Sequence, residues 1–74
     1  MSRRIRRMTA REVESLLRQN GFELVSQKGS HRKWRNASLA AQVIVPYHRG
    51  QILPIGTLQT ILENSKMPED QWRP

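Results

Sequence analysis

The residues with the most chemistry in them fall in one short run, Lys28-Gly29-Ser30-His31-Arg32-Lys33-Trp34. Histidine is the side chain whose ordinary pKa lets it both take and give a proton near neutrality. Cations crowd this one: Lys28, Arg32, Lys33 and Arg35 surround it in sequence, where a phosphodiester would be drawn. RNA supplies its own nucleophile, the 2′-OH beside the scissile phosphate. A nuclease that uses it needs a base for that proton, an acid for the leaving oxygen, and positive charge near the phosphorane-like transition state. General acid–base help is worth roughly 10²–10⁴-fold, and preorganised charge adds to it. His31 is therefore the candidate general acid/base, with Lys28, Lys33 and Arg35 as electrostatic groups and RNA contacts. His48 is a second candidate, as proton carrier or RNA contact, if its loop folds over the same face. Arg49 beside it is a further RNA-contact candidate. Gly29 serves the turn; Ser30 does the same and could also bond a phosphate.

Other chemistries find less support. A two-metal nuclease wants a carboxylate cluster, whereas Glu12 and Glu14 sit on a helix beside a cap and Glu69 and Asp70 lie near the end. Zinc would need more ligands than His31 and His48. No G-x-x-x-x-G-K-[ST] phosphate loop is present. Ser30 and His31 are neighbours on a strand and point to opposite faces, so they do not begin a hydrolase triad. No metal and no cofactor are expected.

Composition sets the frame. The chain has 74 residues, no cysteine and a net charge of +7. That is one small domain held by its hydrophobic core, without disulfides or a thiolate zinc site. The absence of cysteine is compatible with a reducing cytoplasm, the expected location. No apolar run reaches the ~20 residues of a membrane helix, so no membrane partner is expected, and the arginines at the start lack the apolar core of a secretory signal. The basic balance points to anionic partners, nucleic acid first. Arg3, Arg4, Arg6, Arg7 and Arg11 lie in the opening segment, and between Glu23 and Glu63 there is no acidic residue.

The elements that must position these groups can be read in order. Residues 1–8 form a flexible basic arm. Thr9 and Glu12 have capping-box spacing, with Met8 and Val13 spaced as a hydrophobic staple. Val13, Leu16 and Leu17 make an apolar stripe, and Gly21 stops the helix; it is predicted over 10–20. Phe22 to Gln27 alternates, with Phe22 and Leu24 turned to the core, as a first strand. Lys28-Gly29-Ser30 is a hairpin turn. The second strand, 31–36, puts Trp34 opposite His31, Lys33 and Arg35. A turn at 36–38 leads to a third strand, 41–45, with Val43 and Val45 inward and Pro46 ending it. Tyr47 to Leu53 is a loop, and a second helix over 56–65 buries Leu58, Ile61 and Leu62. Residues 9–67 form the domain, and 68–74 a tail from which Trp72 packs back. The fold class is α+β: an α-β-β-β-α order with a three-stranded antiparallel sheet and two helices on one face, the layout of double-stranded RNA-binding domains. Trp34 reads as core before base-stacking platform; Tyr47 is open between loop anchor and stacking surface.

Gly29-Ser30-His31 in a hairpin, then Val45-Pro46-Tyr47-His48, then Gly56-Thr57-Leu58 with Ile61-Leu62, resemble the HicA toxin family from about Thr9 to Ser65. The members are small mRNA interferases of type II toxin–antitoxin systems. The resemblance implies a double-stranded RNA-binding-like fold, metal-independent endoribonuclease cleavage of mRNA that inhibits translation, and neutralisation by a cognate HicB-like antitoxin. It places the family's catalytic histidine on His31 and its frequent second histidine on His48. The alternative from the residues alone is a non-catalytic RNA-binding module. The two part at His31.

Overall fold

The computed structural model describes residues 6–72. The part of the expected basic arm that includes Arg3 and Arg4 lies outside these residues, as do residues 73 and 74. The element order is α1 (Ala10–Gln19), β1 (Glu23–Lys28), β2 (His31–Asn36), β3 (Ala41–Pro46), α2 (Ile55–Asn64) and a 3₁₀ turn at Glu69–Gln71. The strands form one antiparallel sheet in the order β1-β2-β3, which is the expected α-β-β-β-α layout.

Local chemistry sets both ends of α1. The Thr9 hydroxyl accepts from the Glu12 backbone N–H at 3.2 Å, and the Glu12 carboxylate accepts from the Thr9 N–H at 2.9 Å. This reciprocal box satisfies two donors that the first helical turn leaves open. At the other end Gly21 takes φ +87°. There Gly21 N–H donates to Arg18 O and Phe22 N–H to Leu17 O, the paired bonds of a Schellman stop. Asn36 locks this corner to the sheet, since its Nδ2 donates to Asn20 O at 2.8 Å. Ser65 closes α2 in a comparable way: its hydroxyl donates to Leu62 O and accepts from Met67 N–H.

The core lies between the helices and the inner sheet face. Val13 and Leu17 of α1, Trp34 of β2, Val43 and Val45 of β3, and Leu58, Ile61 and Leu62 of α2 are all buried in one cluster. Met8 and Trp72 join it from the two ends of the described chain. Fully burying a large apolar side chain contributes about 1.5–3 kcal/mol, so this layer is what fixes the sheet's orientation.

The first strand departs from expectation. Every residue of β1 is exposed, and Leu24 remains 39% exposed rather than entering the core; only Phe22, just before the strand, is buried. The reason is position. β1 is an edge strand, and both helices lie chiefly against β3. A bulge at Val25 also breaks its alternation. Leu24 pairs with Trp34 but Ser26 pairs with Lys33, so adjacent partners on β2 meet residues two apart on β1.

Candidate active site

The hairpin between β1 and β2 is a two-residue turn, Gly29-Ser30, closed by the pair Lys28 and His31. Gly29 has φ +58° and Ser30 does not share a positive φ. Positive φ at the first central residue alone, with glycine there, fits a type II′ turn, whose twist matches that of the strands. His31 thus begins β2 beside the turn, and its cross-strand neighbours are Lys28 on one side and Pro46 on the other. Ser30 O also accepts from Tyr47 N–H at 2.7 Å, tying the loop after β3 to the turn.

Trp34, 1% exposed, fixes which face of β2 points inward. His31 and Arg35 are exposed and Lys33 half-buried on the opposite face, as the alternation predicts. The bulge completes the arrangement. Strict alternation from Leu24 would carry Ser26 and Lys28 inward. Because Val25 is an extra residue, Ser26 lies opposite Lys33 and Lys28 opposite His31, and cross-strand partners share a face. Ser26, Lys28, His31, Lys33 and Ile44 line one shallow hollow of about 260 Å³ on the outer sheet. Its charged and titratable side chains are two lysines and a histidine, with no carboxylate among the lining residues.

The other candidates are distributed elsewhere. Arg35 faces a separate depression with Glu23, Val25 and Ser38, and Glu23 is its cross-strand partner. Ser30 is half-buried in the turn and does not line the His31 hollow. His48 and Arg49 line a hollow of about 280 Å³ with Thr9, Arg11, Tyr47 and Gly50. His48 also walls an adjoining apolar hollow with Pro46, Ile52, Leu53 and Pro54. His31 lines neither of these.

Beneath the site is a buried polar contact that the sequence pattern alone did not single out. Glu14 is 3% exposed. Its Oε2 accepts from Trp34 Nε1 at 2.9 Å and stands 3.0 Å from Arg32 Nε. The Arg32 N–H is not aimed at that oxygen, so the contact is ionic and the buried Nε makes no hydrogen bond. The Arg32 guanidinium lies over the Tyr47 ring at 4.8 Å, and Arg18 lies over the Trp34 ring at 4.9 Å. Trp34 is accordingly a core residue, and Tyr47 anchors its loop through Arg32. A signal for Glu14 existed: Ala10, Val13, Glu14 and Leu17 repeat at the i, i+3, i+4, i+7 spacing of a buried stripe. Ile44 could also have been found, since it alternates with the inward Val43 and Val45. Ser26 could not, because the bulge hides its direction.

Among the described residues no group of three or more His, Cys, Asp or Glu side chains could hold a metal ion, and no helix is long and apolar enough to cross a membrane.

The family model described as the HicA toxin of bacterial toxin-antitoxin matches residues 10–67. The chain belongs to the HicA toxin family. The match runs from the first residue of α1 to the buried Met67 after α2, so it takes in all three strands, both helices and the hairpin that carries His31. A search of the curated proteins found no match. As a member of a toxin family from toxin–antitoxin systems, this HicA-family protein has a cognate antitoxin as its implied partner.

Proposed function

We propose that this protein is a toxin that acts as a metal-independent endoribonuclease, cutting mRNA in the cytoplasm and thereby stopping translation. The observation that carries the reading is the outer-face hollow in which an exposed His31 stands between Lys28 and Lys33 with no carboxylate beside it. His31 serves as general acid/base. In the cut, the 2′-oxygen bonds to phosphorus as its proton passes to the His31 imidazole, and the P–O5′ bond breaks as that oxygen takes a proton back from the imidazolium. The products are a 2′,3′-cyclic phosphate and a 5′-hydroxyl. Lys28 and Lys33 oppose the charge that grows on the non-bridging oxygens; a lysine acts here as a point charge. Arg35, Ser30 and Arg49 hold the strand outside the cut.

Inhibition by the antitoxin follows from the same surface. An acidic partner seated on the open sheet face would bury His31 and compete for its lysines. The exposed Ile44, at 51%, gives such a partner an apolar contact in the lining of the cationic hollow.

The test is cleavage of one structured mRNA by wild type and His31→Ala in the presence of EDTA. Wild type is expected to cut with the chelator present. The variant should lose roughly 10²–10⁴-fold in rate while keeping its fold and its affinity for RNA. Equal cutting by both, at matched purity, would remove His31 from the mechanism; RNA binding without cutting by the wild type would leave an RNA-binding module.

A further inference from the structure

Two hollows meet at His48, and their linings differ. On one side are Arg11, Arg49, Tyr47 and Thr9, in a space of about 280 Å³. On the other are Pro46, Ile52, Leu53, Pro54 and Thr57, in a space of about 190 Å³. His48 is the wall between them. One nucleotide of an RNA strand has the same two-part character: an anionic phosphate joined to a flat, largely apolar base.

We propose that this pair of hollows is a nucleotide-binding subsite separate from the His31 hollow, with the phosphate held on the Arg11–Arg49 side and the attached base on the Ile52–Pro54 side. The assignment rests on the reading of the protein as an RNA-acting toxin. It makes His48 a phosphate contact rather than a second proton carrier at the cut.

Three observations support it. First, Arg11 and Arg49 are exposed and form no ion pair among the described residues. Their charge is open to an outside anion. Second, the nearest carboxylate in sequence, Glu12, is already engaged. Its Oε1 accepts from both the Thr9 N–H and the Thr9 hydroxyl, at 2.9 and 3.2 Å. Third, the walls are tied to the rest of the domain. Tyr47 is bonded to Ser30 through its backbone and stacked by Arg32. Thr9 bridges to Ile52, and Leu53 N–H donates to Met8 O at 2.9 Å. The loop that carries His48 and Arg49 is therefore pinned to α1 and to the hairpin, and the hollow is preformed. Its link to the cut is short: Pro46 lines the apolar side and is also the cross-strand partner of His31. A strand threaded from one hollow to the other would pass over Pro46.

Two measurements test this. In the first, a 2′-O-methyl oligoribonucleotide, which lacks the attacking hydroxyl, is bound at several salt concentrations. For a single strand, each phosphate that the protein no longer neutralises should lower the slope of log K against log salt by about 0.7. Arg11→Gln with Arg49→Gln frees the one phosphate of the subsite and is expected to lower it by about that amount and to weaken binding at least tenfold at low salt. Lys66→Gln, which removes one positive charge away from the hollows, should leave the slope within about 0.3 of wild type. In the second, amide NMR follows titration of the wild-type protein with inorganic phosphate and with a nucleoside 5′-monophosphate. Both should move Gly50, and only the nucleotide should move Ile52 and Thr57. An unchanged salt slope in the double variant, or a Gly50 amide that neither ligand moves, overturns the site. So does a double variant that binds RNA normally but loses the antitoxin. None of these readouts involves cutting, so failure of the His31 mechanism and failure of this subsite are told apart.

Discussion

The indole Nε1 of Trp34 donates to Glu14 Oε2 at 2.9 Å inside the apolar layer. This bond joins α1 to the middle of β2, three residues along the strand from His31. Glu14 is a charged group almost fully removed from water, and Arg32 at 3.0 Å is its counter-charge. Removing one member of such a pair leaves the other buried and unmatched, a loss of about 3–5 kcal/mol in well-buried cases. A domain of this size has a total stability near the low end of about 5–15 kcal/mol. Glu14→Leu is therefore expected to leave the protein largely unfolded in modest urea. Arg32→Leu combined with Glu14→Leu should be less destabilised than the sum of the two single changes, because both charges are then gone. Urea denaturation of the four proteins in the cycle checks this. Strict additivity would mean that the pair does not interact.

Gly29 holds φ +58° with nothing within 4 Å of where a Cβ would stand. A side chain there is opposed by backbone conformation and not by a clash. Gly29→Ala is expected to cost about 1–2 kcal/mol and to lower the melting temperature by several degrees. It should also slow cutting, since the turn sets where β2 begins and His31 is its first residue. A variant with unaltered melting temperature would show that the turn adapts.

The capping box gives a pH dependence with a definite sign. The Thr9 backbone N–H holds the Glu12 carboxyl below its ordinary pKa. A carboxylate whose pKa is lower in the folded state stabilises the fold above its unfolded-state pKa, and that contribution is lost as pH falls through the folded-state value. Wild type should melt above Glu12→Gln at neutral pH, and the gap should close in acid. Thr9→Ala should lose about 1 kcal/mol, or roughly 4–8 °C in a domain of this length. Melting curves across the acid range decide it; a gap that widens in acid contradicts the assignment.

Val25 is the extra residue of the bulge. Leu24 and Ser26 already pair with the adjacent residues Trp34 and Lys33. Deleting Val25 would thus leave both faces of the sheet as they are and make the ladder regular. The deletion is expected to keep RNA cutting within a few-fold of wild type. Replacing Val25 with lysine should also be tolerated, since its side chain is 49% exposed at an edge. Loss of cutting in the deletion, with the fold intact, would show that the bulge aims Lys28 or Ser26 and does not merely add twist.

Much of this protein is written in short-range chemistry. The capping box, the glycine stop of α1, the Gly29 turn, the inward Trp34, Val43 and Val45, and the stripe of α2 are each decided within a few residues. Periodicity and turn preference therefore reveal them, and with them the outward placement of His31, Lys33 and Arg35. What the tertiary structure decided is non-local. β1 is left exposed because it is an edge and the helices lie mainly over β3, a matter of packing that no alternation pattern contains. The Val25 bulge turns Ser26 and Lys28 to the face of His31 only through pairing with β2. Glu14 is buried because Trp34 and Arg32 arrive from 20 and 18 residues away in the chain to meet it. The division of the basic residues into hollows, His31 with Lys28 and Lys33, His48 with Arg11 and Arg49, depends on how loop, helix and sheet meet in space.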